Sequence, residues 1–565
     1  MNYVTSSTLV SAVRLIGFLL ILALQAEPSF AQTVANGEKL FEANCASCHN
    51  FKQDGIGPQL GGLKGVVDPQ YLDQFIKSPK AMIDSRVARA YDKFRKFRTV
   101  MPNFNHLEQR EIDQLVAYIL KQPAPSASNS AQKNAVENPV VPAISQSGVV
   151  LKLEKIIQFP ATRKTDPLTR VNKVGVHPIT KETLVADLQG QLYILNSQDP
   201  NRYQADVYFD ATVQFPNFVN EPGLATGLGS FAFHPDFARN GLFYTTHTEP
   251  NNAAKADFAY ADSIPVKLQW VIDEWTADKP AARVLTGKRR EVLRVNVVSP
   301  IHGMQEIAFN PYARPTDADY GLLYIGIGDG GAVEQGYPFI PRDKNHVWGK
   351  VLRIDPTGRN SRNGQYGIPP TNPFVGKDGL DEVYASGFRN PNRISWTKDG
   401  KMLVSNIGQR QLESLYWVKR GKNYGWPDRE GTFAIESMTN INVVSRLPTD
   451  DAKYGYSYPV AQFDHDEGNA IMGGFAYIGS QVPALKGKYV FGEVVRGRVF
   501  YINLSEISEG KQATIHELAL SLDGKPTTLK ALTNVNKVDF RIGQDAQGEL
   551  YVLTKSDGMM YKLVR

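Results

Sequence analysis

Cys45-Ala46-Ser47-Cys48-His49 sets two thiols three residues apart with an imidazole directly behind them. At this spacing the thiols can form thioethers with the two vinyl groups of haem, and the histidine then lands on the iron as its proximal ligand. The motif takes both cysteines of the chain, so neither a disulfide framework nor a cysteine-rich zinc fold is left. Met101-Pro102 lies 53 residues beyond Cys48 and offers a thioether for the sixth iron position. Met82 and His106 are rival distal ligands, with Met101 favoured by its position. A redox disulfide would account for the cysteine pair, but not for His49 or the Met-Pro step.

A motif of this kind needs a small scaffold around it. Leu107, Ile112, Leu115, Val116, Ile119 and Leu120 recur at helical spacing, and residues 32–122 read as a compact helical unit. Over residues 34–122 the chain resembles class I cytochrome c. That resemblance implies a helix around Gly37–Phe41 packed against the last helix near Tyr118. Upstream, Arg14 precedes the apolar run 15–24, and Ser29-Phe30-Ala31 offers a small-x-small cleavage site. This is the layout of a signal peptide over 1–31, with Gln32 as the first mature residue and a periplasmic or secreted destination. The run of 10 residues is too short to span a bilayer, which takes about 20.

Residues 123–147 hold 17 Pro, Ala, Ser or Asn among 25 and read as a flexible linker. Beyond them the texture changes. A glycine followed by alternating apolar and aromatic residues recurs as GQLYIL (190–195), GLFYTT (241–246), GLLYIG (321–326), GKMLVS (400–405), GKYVFG (487–492) and GELYVL (548–553). Runs such as FAFHPDF, EIAFNPY and RISWTKD stand ahead of these units. Six units over 148–565 point to six sheets set radially, an all-β six-bladed propeller behind the all-α unit. The 51 to 87 residues between units leave long loops, where binding sites gather on a rigid scaffold.

Composition agrees with a large multidomain chain. The 565 residues are 42% hydrophobic and 21% charged, with a net charge of +6, too mild a surplus to point to nucleic acid or a polybasic membrane surface.

The segments LGSFAFHPDF (228–237), GIGDGG (326–331), GKVLRID (349–355), GFRNPNRISW (387–396) and KNYGWP (422–427) together resemble the glucose/sorbosone dehydrogenase family. Members are six-bladed propellers that use pyrroloquinoline quinone (PQQ) with calcium, and some bind without catalysis. The resemblance implies that His302 is the base, with Asp329 hydrogen-bonded to it. It implies that Arg389 and Asn390 meet the quinone, and that Arg496 is a weaker candidate for one of its carboxylates. The run SNIGQRQLE (405–413) matches a calcium loop, with the carbonyls of Gly408 and Gln409 and the carboxylate of Glu413 as ligands. There are departures from the family pattern: Ala225 stands where the glucose enzymes carry a glutamine, Met304-Gln305 replaces a glycine pair, and Asn469 stands where a lysine is usual.

Together the halves imply that an aldose or related alcohol is oxidised by hydride transfer to PQQ, with electrons passed to the haem and then to an outside acceptor protein or respiratory chain. Two other readings stand beside this: a non-catalytic binding propeller joined to an electron-transfer cytochrome, and a haem-d nitrite reductase, against which the GFRNP and NYGWP segments speak.

Overall fold

The computed structural model describes residues 30–565, except 47–48, 52–53, 55–56, 98–99, 126–134, 137–138, 141–142, 165–166, 200–201, 222–224 and 439. The expected signal peptide thus falls almost wholly outside the described residues, as does Cys48. Helix α1 (Phe30–Asn44) runs through the expected cleavage site.

Four more helices follow: α2 (Pro69–Lys77), α3 (Pro79–Asp84), α4 (Ala88–Phe97) and α5 (Gln109–Lys121). Asp68 caps α2 by accepting from the Gln70 amide at 2.9 Å, and Pro69 opens the helix where no amide partner is needed. The apolar stripe read from the sequence is the buried face of α5, with Ile112, Leu115, Val116 and Ile119 inside. Gly37 lets α1 cross α5 closely, since a Cβ there would sit 2.1 Å from the Gln114 carbonyl oxygen and 2.7 Å from Tyr118 Cβ. Phe41 packs beside Tyr118 with ring centroids 5.6 Å apart, as the cytochrome resemblance implies.

The remainder is β-structure. Strand β1 (Ser145–Gln158) begins inside the expected linker. Six further strands each head a set of paired strands: β2 (Val171–Val176), β3 (Ser230–Phe233), β4 (Glu306–Phe309), β5 (Pro391–Trp396), β6 (Ile471–Ala476) and β7 (Phe540–Gln544). Each touches the next in chain order, and β7 touches β2, so the six close a ring. The first four head four-stranded sheets. The last two head strand sets that β1 joins into one nine-stranded sheet, pairing parallel with His516–Leu522 and antiparallel with Met559–Val564. The beginning of the β domain is thereby stitched to its end, with Leu151 and Leu153 buried at 1% exposure each.

The glycine of every repeat has a positive φ, from 66° to 128°, a conformation in which a side chain costs energy. In five of the six strand sets that glycine leads into the second strand. In the first sheet GQLYIL leads into the third strand, Gln191–Asp199, because Thr183–Asp187 already follows β2. The equivalent turn there carries Lys181 at φ 63°, so the repeat is present but its glycine is not.

The segment between the two units is held at several points. Ala135 forms a bridge with Ser445, the Val136 amide donates to the Val444 carbonyl at 3.0 Å, and the Val140 amide donates to Asp464 at 3.1 Å. Ser445 belongs to a three-stranded sheet outside the ring (Arg429–Glu430, Phe433–Glu436, Asn440–Ser445). Among the described residues, no helix is long and apolar enough to cross a membrane.

Candidate functional site

Antiparallel pairing puts the start of each ring strand and the end of its neighbour at one end of the ring. Arg170, His302, Arg389, Asn390, Asn469 and Asp539 stand just before or at ring-strand starts. Asp329, Gln409 and Lys555 stand just after the neighbouring strands. One face of the ring therefore collects nearly all the chemistry.

His302 Nδ1 is 2.8 Å from Asp329 Oδ1. Asp329 is fully buried and His302 is 7% exposed, so the imidazole is the accessible end of the pair. Two further donors hold the carboxylate: the Gly331 amide at 2.9 Å and Trp426 Nε1 at 3.0 Å. Burial pushes the Asp329 carboxyl up, but the charge and hydrogen bond of His302, with Arg389 and the Gly331 amide, bring it below the usual carboxylate range. The glycines of GIGDGG have separate uses. Gly328 lets its strand pass His302, since a Cβ would lie 2.3 Å from the His302 carbonyl oxygen, and Gly331 takes φ 76° to present its amide. His302 itself has φ 51°, a strained value of the kind that gathers at functional sites.

The GFRNP and NYGWP segments lie side by side. The Tyr424 amide donates to the Ser386 carbonyl at 2.8 Å and the Trp426 amide to Gly387 at 3.0 Å. Asn406 Oδ1 accepts from the amides of Arg389 and Asn390 at 3.0 and 2.9 Å, which fixes the turn that presents both. The Arg389 guanidinium is 3% exposed, donates to Gln409 at 2.8 Å and Glu334 at 2.5 Å, and lies 6.0 Å from the Trp426 ring centroid. Glu334, Asn406 and Trp426 were not singled out from the sequence. They lie 55, 17 and 97 residues from the partners that give them meaning.

At the same end lies a surplus of positive charge. Arg170, Arg541 and Lys555 are 3%, 7% and 2% exposed, and with Lys537 they surround Asp539. Burial brings Arg541 down to about 10 and, aided by neighbouring Arg541, holds Lys555 well below the ordinary lysine value. Burial raises the Asp539 carboxyl, but the four cations carry it far below the usual range.

Arg496 and the calcium loop do not take the places expected of them. Arg496 spends its guanidinium on the carbonyls of His465, Asp466 and Glu467 at 3.3, 2.7 and 3.2 Å. Glu413 Oε2 accepts from the Gly408 and Ile471 amides at 3.3 and 2.8 Å, and its Oε1 lies 2.9 Å from His465 Nε2. The loop after Gln409 turns its amides onto a carboxylate: Glu430 Oε1 accepts from Arg410, Gln411 and Leu412 at 2.9, 2.9 and 3.1 Å. Among the described residues no three His, Cys, Asp or Glu side chains group as a metal site. Glu413 is thus a strut engaged through both of its oxygens, and the calcium expectation is left resting on the Gly408 and Gln409 carbonyls.

In the helical unit, His49 Nδ1 lies 2.7 Å from the Pro58 carbonyl oxygen. If Nδ1 carries the proton for that bond, Nε2 is the lone-pair nitrogen, the arrangement a metal-ligating histidine needs. Burial draws the ring below the ordinary histidine value, against the Pro58 bond and Asp54, which favours the neutral ligand form. Cys45 and Met101 border the same apolar cluster, filled by Phe41, Leu63 and Tyr118, whereas Met82 lies outside it; His106 stands beside Phe104 at its edge, with ring centroids 6.0 Å apart. These residues fit a haem. Gly57 backs the histidine ring, for a Cβ there would sit 2.2 Å from His49 Cε1. Gly57→Ala is therefore expected to displace the ring at a cost of about 1–3 kcal/mol. The check is haem stain per mole of purified protein, which should fall against wild type.

A ring of sheets carrying a buried His–Asp pair thus follows a small helical unit that carries the C-x-x-C-H run. The chain belongs to the glucose/sorbosone dehydrogenase family, whose profile matches residues 174–562, and a cytochrome c profile matches residues 34–123. It is similar to HIPL2 protein of Arabidopsis thaliana, 26% identical over 63% of this chain and 56% of that protein. It is also similar to quinoprotein glucose dehydrogenase B of Acinetobacter calcoaceticus, 28% identical over 39% of this chain and 43% of that protein. The chain thus spans about half the length of these curated relatives. In fold it resembles the crystal structure of the soluble aldose sugar dehydrogenase of Escherichia coli in the apo-form, with a TM-score of 0.50 and 18% identity over 73% of this chain and 99% of that one.

Proposed function

We propose that the chain is an exported quinohaemoprotein that oxidises an aldose or related alcohol at a six-bladed propeller, delivering electrons to its own c-type haem and then to an outside acceptor. The observation that carries this is the 2.8 Å His302–Asp329 contact, anchored by Trp426 and Gly331 at the cation-rich end of the ring.

The residues present fit PQQ, a tricarboxylate. Three buried polar atoms at this end, Asn390 Oδ1, Gln409 Nε2 and Asn469 Oδ1, find no partner among the described residues, and a ligand carrying carbonyls and an N–H would complete the glutamine nitrogen and one of the two asparagine oxygens. The buried Arg170, Arg541 and Lys555 exceed the one carboxylate they share, Asp539, and suit an anion. When bound, the quinone supplies a two-electron hydride acceptor.

The protein's part is positioning and proton handling. Asp329 accepts from His302 Nδ1, which leaves Nε2 as the basic nitrogen for the substrate hydroxyl proton. Its three hydrogen bonds and the nearby Arg389 charge hold the carboxylate ionised, so the imidazolium that forms is stabilised where it forms. Arg389, ordered by Gln409 and Glu334, places a fixed positive charge where the acceptor gains electron density. Oxidation of one alcohol to its carbonyl releases two electrons and two protons, so the haem must be reduced and reoxidised twice per substrate.

A binding role without catalysis has one observation in its favour. The Arg389 fork is already engaged by Glu334, and that pair must open for the guanidinium to meet a ligand squarely. Fluorescence titration of the apo-protein with PQQ, followed by dye-linked assays over a panel of aldoses and alcohols, separates the two. Saturable binding with turnover is the expected result. Binding without turnover of any alcohol would transfer the reading to the binding role.

A further inference from the structure

One unbroken set of contacts joins the candidate quinone end to the proximal side of the haem unit. Arg389 Nε donates to Gln409 at 2.8 Å. The next residue, Arg410, donates from its guanidinium to the Lys96 carbonyl at 3.2 Å. Lys96 Nζ reaches Asp54 at 2.7 Å, and the other Asp54 oxygen accepts from the Gln59 amide at 2.9 Å. The residue before it is Pro58, whose carbonyl faces His49.

Three further observations place the contact between Arg410 and α4 at an interface. The Arg410 guanidinium lies 4.1 Å from the centroid of Phe97, the last residue of α4. Phe97 is 4% exposed yet does not belong to the apolar cluster that fills the helical unit, so its cover comes from elsewhere. Burial draws Arg410 below the ordinary arginine value, with Asp54 of the helical unit and Glu430 opposing. An ion pair, Lys267 with Glu42 at 3.6 Å, crosses the same boundary from α1. The small sheet outside the ring serves both sides: Glu430 gathers the Arg410 loop, while Ser445 and Val444 pair with the connecting segment at Ala135 and Val136.

We propose that the helical unit is docked rather than loosely tethered, and that Arg410 is the positioning residue that seats α4 and the proximal-histidine loop on the rim of the ring. A planar cation stacked on an aromatic face and bonded to a helix-end carbonyl fixes both distance and orientation, which a lysine at the same place would not. The docking stands on these contacts alone; its use as an electron route rests on the oxidoreductase reading.

The test uses the full-length holo-protein and a zero-length carbodiimide, without quinone or sugar. The expected product is a Glu42–Lys267 crosslink, identified by mass spectrometry. Arg410→Ala and Phe97→Ala should each lower its yield by about tenfold, the scale on which loss of one desolvated cation–π contact shifts a docking equilibrium. Arg410→Lys should fall between. Unchanged haem spectra certify the fold, and Phe97→Leu replaces an alanine variant that fails this check. No crosslink in the parent, or parent-like yield in all the variants, overturns the proposal. Because no turnover is involved, failure here and failure of the enzymatic reading are told apart.

Discussion

Replacing His302 with alanine is expected to lower substrate-driven reduction by about 10²–10⁴-fold, the usual contribution of a positioned general base. The haem spectrum should not change, because His302 belongs to the ring end and not to the cluster around His49. The side chain is 7% exposed and its carboxylate partner is fully buried, so the loss removes the one basic group of the pair that a substrate can reach. A companion variant separates chemistry from stability. His302 has φ 51°, which glycine adopts without strain. His302→Gly should be as inactive as the alanine variant yet about 1 kcal/mol more stable than it in thermal or urea unfolding. Equal stability of the two would mean that the strained backbone is not what the residue costs the fold.

Asp539→Asn is expected to have the largest effect on stability. Arg170, Arg541 and Lys555 are buried around Asp539, and Lys537 lies 3.5 Å from it. Removing the shared carboxylate leaves buried Arg541 and Lys555 without their acidic partner, at a cost of about 3 kcal/mol. The pH dependence follows from the direction of the shift. The Asp539 carboxyl is held below its unfolded value, so its stabilisation is fully present above the ordinary carboxylate range and is lost as pH falls through the depressed folded value. The wild type should therefore lose stability in acid through this group, and the variant should lack that component. PQQ should restore part of the lost stability, because its carboxylates replace the missing charge. Urea unfolding between about pH 1.5 and 8, with and without quinone, reads both; a variant as stable as wild type at pH 7 would contradict the arrangement.

What was legible in the sequence was local. The C-x-x-C-H run, the apolar face of α5 and the glycine turns are each set by residues within a few positions of one another. The phase of the first sheet was lost because Lys181, not a glycine, holds the left-handed turn. The His302–Asp329 pair spans 27 residues and needed the family resemblance to be seen. Trp426, Glu334 and Asn406 act through partners set by the ring, and nothing beside them in the chain announces this. Lys555 could have been found: it lies seven residues after a repeat glycine, as Asp329 lies eight and Gln409 nine after theirs. Glu413 misled because its run matched a metal loop, while its fate is decided by His465 and Ile471, more than fifty residues away.

The most direct test of the central claim is rapid mixing of PQQ-loaded, oxidised full-length protein with an aldose it turns over, followed at the c-type absorption bands. The account predicts that the haem is reduced within a turnover, at a rate independent of protein concentration, and that His302→Ala slows it by about 10²–10⁴-fold. A haem that stays oxidised while an added dye is reduced by the same sugar would contradict it.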